Sequence, residues 1–162
     1  QSFQITPVQM LRAVAAIVNG GKLVTPHFGL YTSSSDGSVV NEFAYSTEEE
    51  AISLQTSEMM KQILEGVVSE GGGTKAYIEG YSIGGKTATS QKLPRGSGKY
   101  ISSFIGFAPA ENPQVIAMCL IDEPTGVYYG GTIAAPVVKT LYENILPYLG
   151  IERSVQLEKN SD

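Results

Sequence analysis

Residues 84–92 read Gly-Gly-Lys-Thr-Ala-Thr-Ser-Gln-Lys. One cation, Lys86, is followed by the hydroxyls of Thr87, Thr89 and Ser90, with only Ala88 interrupting them. Two chemistries fit such a run. The first is a phosphate loop, because Gly80, Gly85, Lys86 and Thr87 fall at the spacing of its pattern. That loop must pass from a strand into a helix, so that backbone amides cradle the phosphates. Here Ala88-Thr89-Ser90 makes a poor first helical turn, and Pro94, Gly96 and Gly98 follow soon after. Asp122 closes a later apolar run but makes no convincing magnesium ligand, so nucleotide binding is not expected.

The second chemistry belongs to a strand. Alternation puts Lys86, Ala88 and Ser90 on one face and Thr87, Thr89 and Gln91 on the other. Small side chains leave the backbone open to an extended peptide pairing with the strand edge. A backbone N–H of such a strand can also stabilise an oxyanion. The plain structural alternative is an edge-strand lysine that blocks aggregation.

Other catalytic sets are poorly supplied. The chain has one histidine and one cysteine, so no zinc site is expected. His27, in Thr25-Pro26-His27-Phe28, reads as a turn residue and has no serine signature beside it for a triad. Cys119 lies in an apolar run and reads as a small buried hydrophobe. The net charge of −5 and the lack of a basic stripe exclude nucleic acid as an expected partner. No apolar run approaches the ~18 residues of a membrane span. The start at Gln1, without Met or a leader, reads as a piece cut from something longer.

Helices and strands must position the Lys86 run. Thr6-Pro7-Val8-Gln9 opens a helix with a capping box, and Met10, Leu11, Val14, Ala15, Ile17 and Val18 give it an apolar stripe. Asn19-Gly20-Gly21 ends it. An extended segment, Lys22-Leu23-Val24, follows, and residues 29–45 read as a hairpin. A second helix starts after Ser53, with Met60, Ile63, Leu64, Val67 and Val68 as its stripe, and stops at Gly71-Gly72-Gly73. Three strands are expected at about 81–90, 101–108 and 115–122, joined by short links that favour an antiparallel meander. A last helix starts near Thr132, with Ala134, Val138, Leu141, Ile145 and Leu149 at helical spacing. The order predicts an α+β fold, an antiparallel sheet covered by helices.

Lys86-Thr87-Ala88-Thr89 resembles the Lys-Thr-Gly-Thr motif of penicillin-binding protein transpeptidases, above all the monofunctional class B group. The resemblance extends through Ile5-Thr6-Pro7-Val8-Gln9-Met10, Ala16-Ile17-Val18-Asn19-Gly20-Gly21 and Pro26-His27. It continues in Gly66-Val67-Val68, Gly73-Thr74 and Ala76, then in Ser103-Phe104-Ile105-Gly106-Phe107-Ala108-Pro109, Tyr129-Gly130-Gly131 and Ala134-Ala135-Pro136. It implies part of a β-lactamase/transpeptidase-like fold and a D,D-transpeptidase that cross-links peptidoglycan stem peptides through a serine acyl-enzyme. By that resemblance Lys86 supplies positive potential, and Thr87 and Thr89 bind the substrate or β-lactam carboxylate. The Thr89 N–H completes the oxyanion hole, and Ala88, Ser90 and Gln91 line the substrate groove. No cofactor is implied. The implied partners are stem peptides, β-lactams and cell-wall assembly proteins. The implied location is the extracytoplasmic face of a bacterial membrane, anchored by an N-terminal segment outside this chain.

Two departures stand out. Ala88 replaces the usual glycine and is expected to narrow the groove rather than block it. No serine is followed three positions later by lysine; Lys61 lies four after Ser57. No Ser-x-Asn occurs, and Tyr142-Glu143-Asn144 fits a Tyr-x-Asn variant only inside an amphipathic helix. The family keeps both missing motifs upstream. Residues 1–151 are therefore expected to form the C-terminal portion of a transpeptidase domain, inactive alone and completed by an N-terminal part of the same protein. Residues 152–162 are expected to be a polar tail. A non-catalytic scaffold in wall assembly and a β-lactamase or β-lactam sensor are the alternatives.

Overall fold

The computed structural model describes residues 4–48 and 50–153; the tail expected from 152 lies almost wholly outside the described residues. The chain divides into two compact units, one of Ile5–Glu58 and one holding the described residues from Met59 onward.

In the first unit, helix α1 (Pro7–Val18) starts at the expected capping box. The Gln9 N–H donates to Thr6 Oγ1 at 3.2 Å, and the Thr6 N–H donates to Gln9 Oε1 at 2.9 Å. Its end is set by Gly20 and Gly21 at φ 84° and 90°. Ser57 is fully buried. It donates to the Ile17 carbonyl at 2.7 Å and accepts the Gly20 N–H at 3.0 Å. Strand β1 (Leu23–Val24) pairs antiparallel with β4 (Thr47–Glu48), and β2 (Tyr31–Ser33) with β3 (Val39–Glu42). The second pair is the expected hairpin. At its turn the Ser34 and Ser38 hydroxyls and the Ser38 N–H donate to Asp36 and hold its carboxyl down at about 2. His27 stacks on Tyr45 at 3.6 Å between ring centroids, with Nδ1 2.8 Å from the Thr25 carbonyl.

Helix α2 (Leu54–Ser69) begins at the end of the first unit and continues in the second. A 3-10 turn (Thr74–Ala76) follows, and then the sheet: β5 (Gly84–Gln91), β6 (Tyr100–Ala108) and β7 (Val115–Asp122), in that order. All pairings are antiparallel, Thr87 lying opposite Phe104 and Phe104 opposite Cys119. Helices α3 (Gly130–Ile133) and α4 (Ala135–Tyr148) close the unit. Its core gathers Val68, Ala76, Ile83, Phe104, Ala135, Val138, Tyr142 and Leu146.

The two helical stripes need correction. On α2, Leu64 and Val68 are buried, but Ile63 is exposed and Lys61 is buried in its stead, with Nζ donating to the Glu111 carbonyl at 2.8 Å. On α4, Val138, Tyr142 and Leu146 face the core while Leu141, and Leu149 just past its end, are exposed. Tyr142 takes the central position because its hydroxyl reaches the Gly106 carbonyl at 2.5 Å, which satisfies its one polar atom. Burial pushes its phenol well above the usual range. Cys119 is only half-buried, and burial raises its thiol.

Candidate active site

The phosphate-loop pattern is answered by the local backbone. Residues 84–91 are one strand, so Lys86 and Thr87 do not open a helix. The paired glycines serve packing against aromatics. A Cβ on Gly84 would lie 2.1 Å from the Phe107 ring, and one on Gly85 2.5 Å from the Phe104 ring. Only glycine lets β5 lie this close to both rings. Asp122 is held by Lys92 at 2.9 Å.

Strand β5 is the edge of the sheet. Hydrogen bonding in an antiparallel pair alternates along the strand. The phase is fixed by Lys92, whose N–H donates to the Lys99 carbonyl at 2.9 Å. Positions 84, 86, 88 and 90 therefore bond to β6. Gly85, Thr87, Thr89 and Gln91 turn their N–H and C=O groups toward the unpaired edge. Lys86 Nζ donates to the outward Thr87 carbonyl at 2.8 Å, in agreement with that phase.

A cavity of about 320 Å³ opens against this strand. Its walls are Thr87, Ala88 and Thr89 of β5, residues 129–132, Gly72, and Thr74 and Lys75 of the 3-10 turn. Two glycines allow these walls to approach. A Cβ on Gly130 would lie 2.3 Å from both the Ala88 and Ser103 carbonyl oxygens, and one on Gly131 2.5 Å from the Gly72 oxygen. The Gly130 N–H donates to Thr89 Oγ1 at 3.1 Å, which leaves the Thr89 hydroxyl proton available to another acceptor. No described residue hydrogen-bonds the Thr87 hydroxyl.

Tyr129 forms the outer lip and is 58% exposed. Tyr128 stacks on Tyr100 at 4.0 Å and meets Tyr129 at 4.7 Å. The buried Ser102 hydroxyl donates to the Tyr128 carbonyl and fixes the turn to β6. The phenol of Tyr129 is raised, chiefly by its hydrogen bond with Tyr128.

Of the residues expected from the sequence, Thr87, Ala88 and Thr89 line the cavity. Lys86 lies on the opposite, exposed face of β5, and Ser90 and Gln91 are half-buried farther along the strand. Lys75, Tyr129 and Thr132 line the cavity without having been expected to. Only the small residues 130 and 131 carried a signal of close approach.

The chain as a whole is similar to known proteins. The model of the penicillin-binding protein transpeptidase domain family matches residues 1–143. Stage V sporulation protein D of Bacillus subtilis is 40% identical, over 98% of this chain and 26% of its own length. The probable peptidoglycan D,D-transpeptidase PenA of Neisseria flavescens is 32% identical, over 98% of this chain and 38% of its own. The chain thus spans well under half of the relatives it matches. Among solved structures, a Mycobacterium tuberculosis penicillin binding protein 3 complexed with ampicillin is similar at TM-score 0.83 and 28% identity, over 98% of this chain and 38% of that one. The D,D-transpeptidase domain of an Eggerthella lenta peptidoglycan glycosyltransferase gives 0.78 and 28%, over 91% and 33%.

Proposed function

This chain belongs to the penicillin-binding protein transpeptidase domain family, and we propose that it forms one wall of the cleft in which a longer protein cross-links peptidoglycan stem peptides. The observation that carries this reading is the unpaired edge of β5. There the N–H and C=O groups of Thr87 and Thr89 face outward beside two threonine hydroxyls.

An extended stem peptide adds to that edge as a further strand, held by main-chain bonds to Thr87 and Thr89. Its terminal carboxylate accepts hydrogen bonds from the two hydroxyls. A serine upstream of this chain attacks the penultimate carbonyl. Its Oγ–C bond forms as the C–N bond to the terminal D-alanine breaks, and that amine leaves with the serine's proton. An amine of a second stem peptide then displaces the serine oxygen, and the cross-link results. The Thr89 N–H faces the developing oxyanion, and losing one such donor costs about 2.7–4 kcal/mol of transition-state stabilisation. Lys86, whose ammonium donates to the Thr87 carbonyl, adds positive potential at the outer edge of β5.

A β-lactam presents the same carboxylate and acyl carbon, and the ampicillin complex of the Mycobacterium tuberculosis relative supports that extension. The protein works on the extracytoplasmic face of a bacterial membrane, held there by a segment outside this chain. No described helix is long and apolar enough to cross a membrane. Labelling the whole protein with a fluorescent penicillin tests the reading. A covalent band is expected, and its absence contradicts the proposal.

A further inference from the structure

The charge that lines the cavity comes from an unexpected place. Among its lining residues Lys75 alone is charged, while Lys86 is engaged with the Thr87 carbonyl. Lys75 has no ion pair or hydrogen bond with any described residue. Thr74, Thr87, Thr89 and Thr132 line the same cavity, and no carboxylate residue does. In a chain of net charge −5, this one concavity gathers a free cation and hydroxyl donors. Such a surface attracts an anion.

The backbone that carries Lys75 is fixed. The Gly73 N–H donates to the Val67 carbonyl at 2.9 Å, and the Ala76 N–H to the Gly73 carbonyl at 2.8 Å. Ala76 is fully buried in the core. Gly72 sits against the Thr87 hydroxyl, its Cβ position 4.0 Å from Oγ1. Lys75 is therefore carried on a hydrogen-bonded turn and lines the same cavity as the two threonines.

We propose that Lys75 is a substrate-binding residue whose ammonium engages the carboxylate of the acyl donor, alongside the Thr87 and Thr89 hydroxyls. This assignment rests on the transpeptidase reading and names a residue that sets its preference for anionic donors. An exposed ion pair of this kind is worth at most about fivefold in rate.

The test compares acylation of the whole protein by a penicillin with its free carboxylate and by the methyl ester of the same penicillin. In Lys75→Met, acylation by the free acid should fall by up to about fivefold, and acylation by the ester should stay at the wild-type rate. Lys75→Arg should keep the wild-type rates with both. Added salt should narrow the difference between wild type and Lys75→Met for the acid alone. Equal slowing of both probes in a variant that melts like wild type overturns the assignment, as does no slowing of either. Should Lys75→Met melt early, Lys75→Gln carries the same comparison. A wild-type protein that takes up neither probe overturns the transpeptidase reading itself, an outcome distinct from a failure of Lys75.

Discussion

Thr89 joins two functions in one residue. Its hydroxyl accepts the Gly130 N–H, which holds the 129–132 turn against β5, while its N–H faces the open edge. Thr89→Val leaves that donor unpaired and should cost about 1 kcal/mol of stability; Thr89→Ser should restore it. Thermal melting of the three proteins checks this. Equal melting would mean that the turn is held by packing alone. Ala88 is exposed, with its methyl on the face of β5 that carries Lys86. Ala88→Gly should change the rate of acylation by penicillins, and an unchanged rate would show that the methyl stands outside the groove. That Thr87 and Thr89 share one face of a strand was legible from alternation alone, and the strand is there; their role in binding substrate is part of the proposal. Lys75 was not legible, because a lysine after Gly73-Thr74 looks like any solvated turn residue until the fold sets it at the wall of the cavity.

At the scale of elements, β5 depends on its leading glycines. Gly84→Ala puts a methyl into the Phe107 ring and should destabilise by about 1–3 kcal/mol, measured by denaturant unfolding. A neutral result would mean that the ring moves freely. The far ends of the three strands are tied by Glu123, which meets Lys92 at 2.8 Å and Lys99 at 2.9 Å. Those two ammonium groups lower its carboxyl to about 2 from the ordinary 4.5. A depressed carboxyl stabilises the fold above its unfolded value and loses that contribution as pH falls through its folded one. Stability should therefore decline as pH drops from 4.5 toward 2, and Glu123→Gln should flatten that part of the profile. An unchanged profile would leave the tie without effect. The strands and their order were legible from short links between apolar runs. The faces of α2 and α4 were legible only in part. Apolar residues cover more than one face of each helix, and periodicity cannot choose among faces that are all apolar. Packing chose Tyr142 over Leu141 because the phenol finds the Gly106 carbonyl.

At the scale of the molecule, the described sheet has three strands and leaves the outer edges of β5 and β7 unpaired. Ile63, Leu141 and Leu149 stand exposed on the helices. Open edges and apolar faces favour self-association. The chain alone should aggregate or dimerise, and co-expression with the rest of its protein should yield a monodisperse product; size-exclusion chromatography with light scattering checks both. A monomer that unfolds cooperatively by itself would contradict this. The central claim is that β5 walls an acyl-transfer cleft whose nucleophile lies upstream. Its most direct test is the mass of the whole protein after exposure to a penicillin, with the modified peptide mapped. The account predicts one added penicillin, on a serine outside these 162 residues. No adduct, or an adduct on a serine within them, would contradict it.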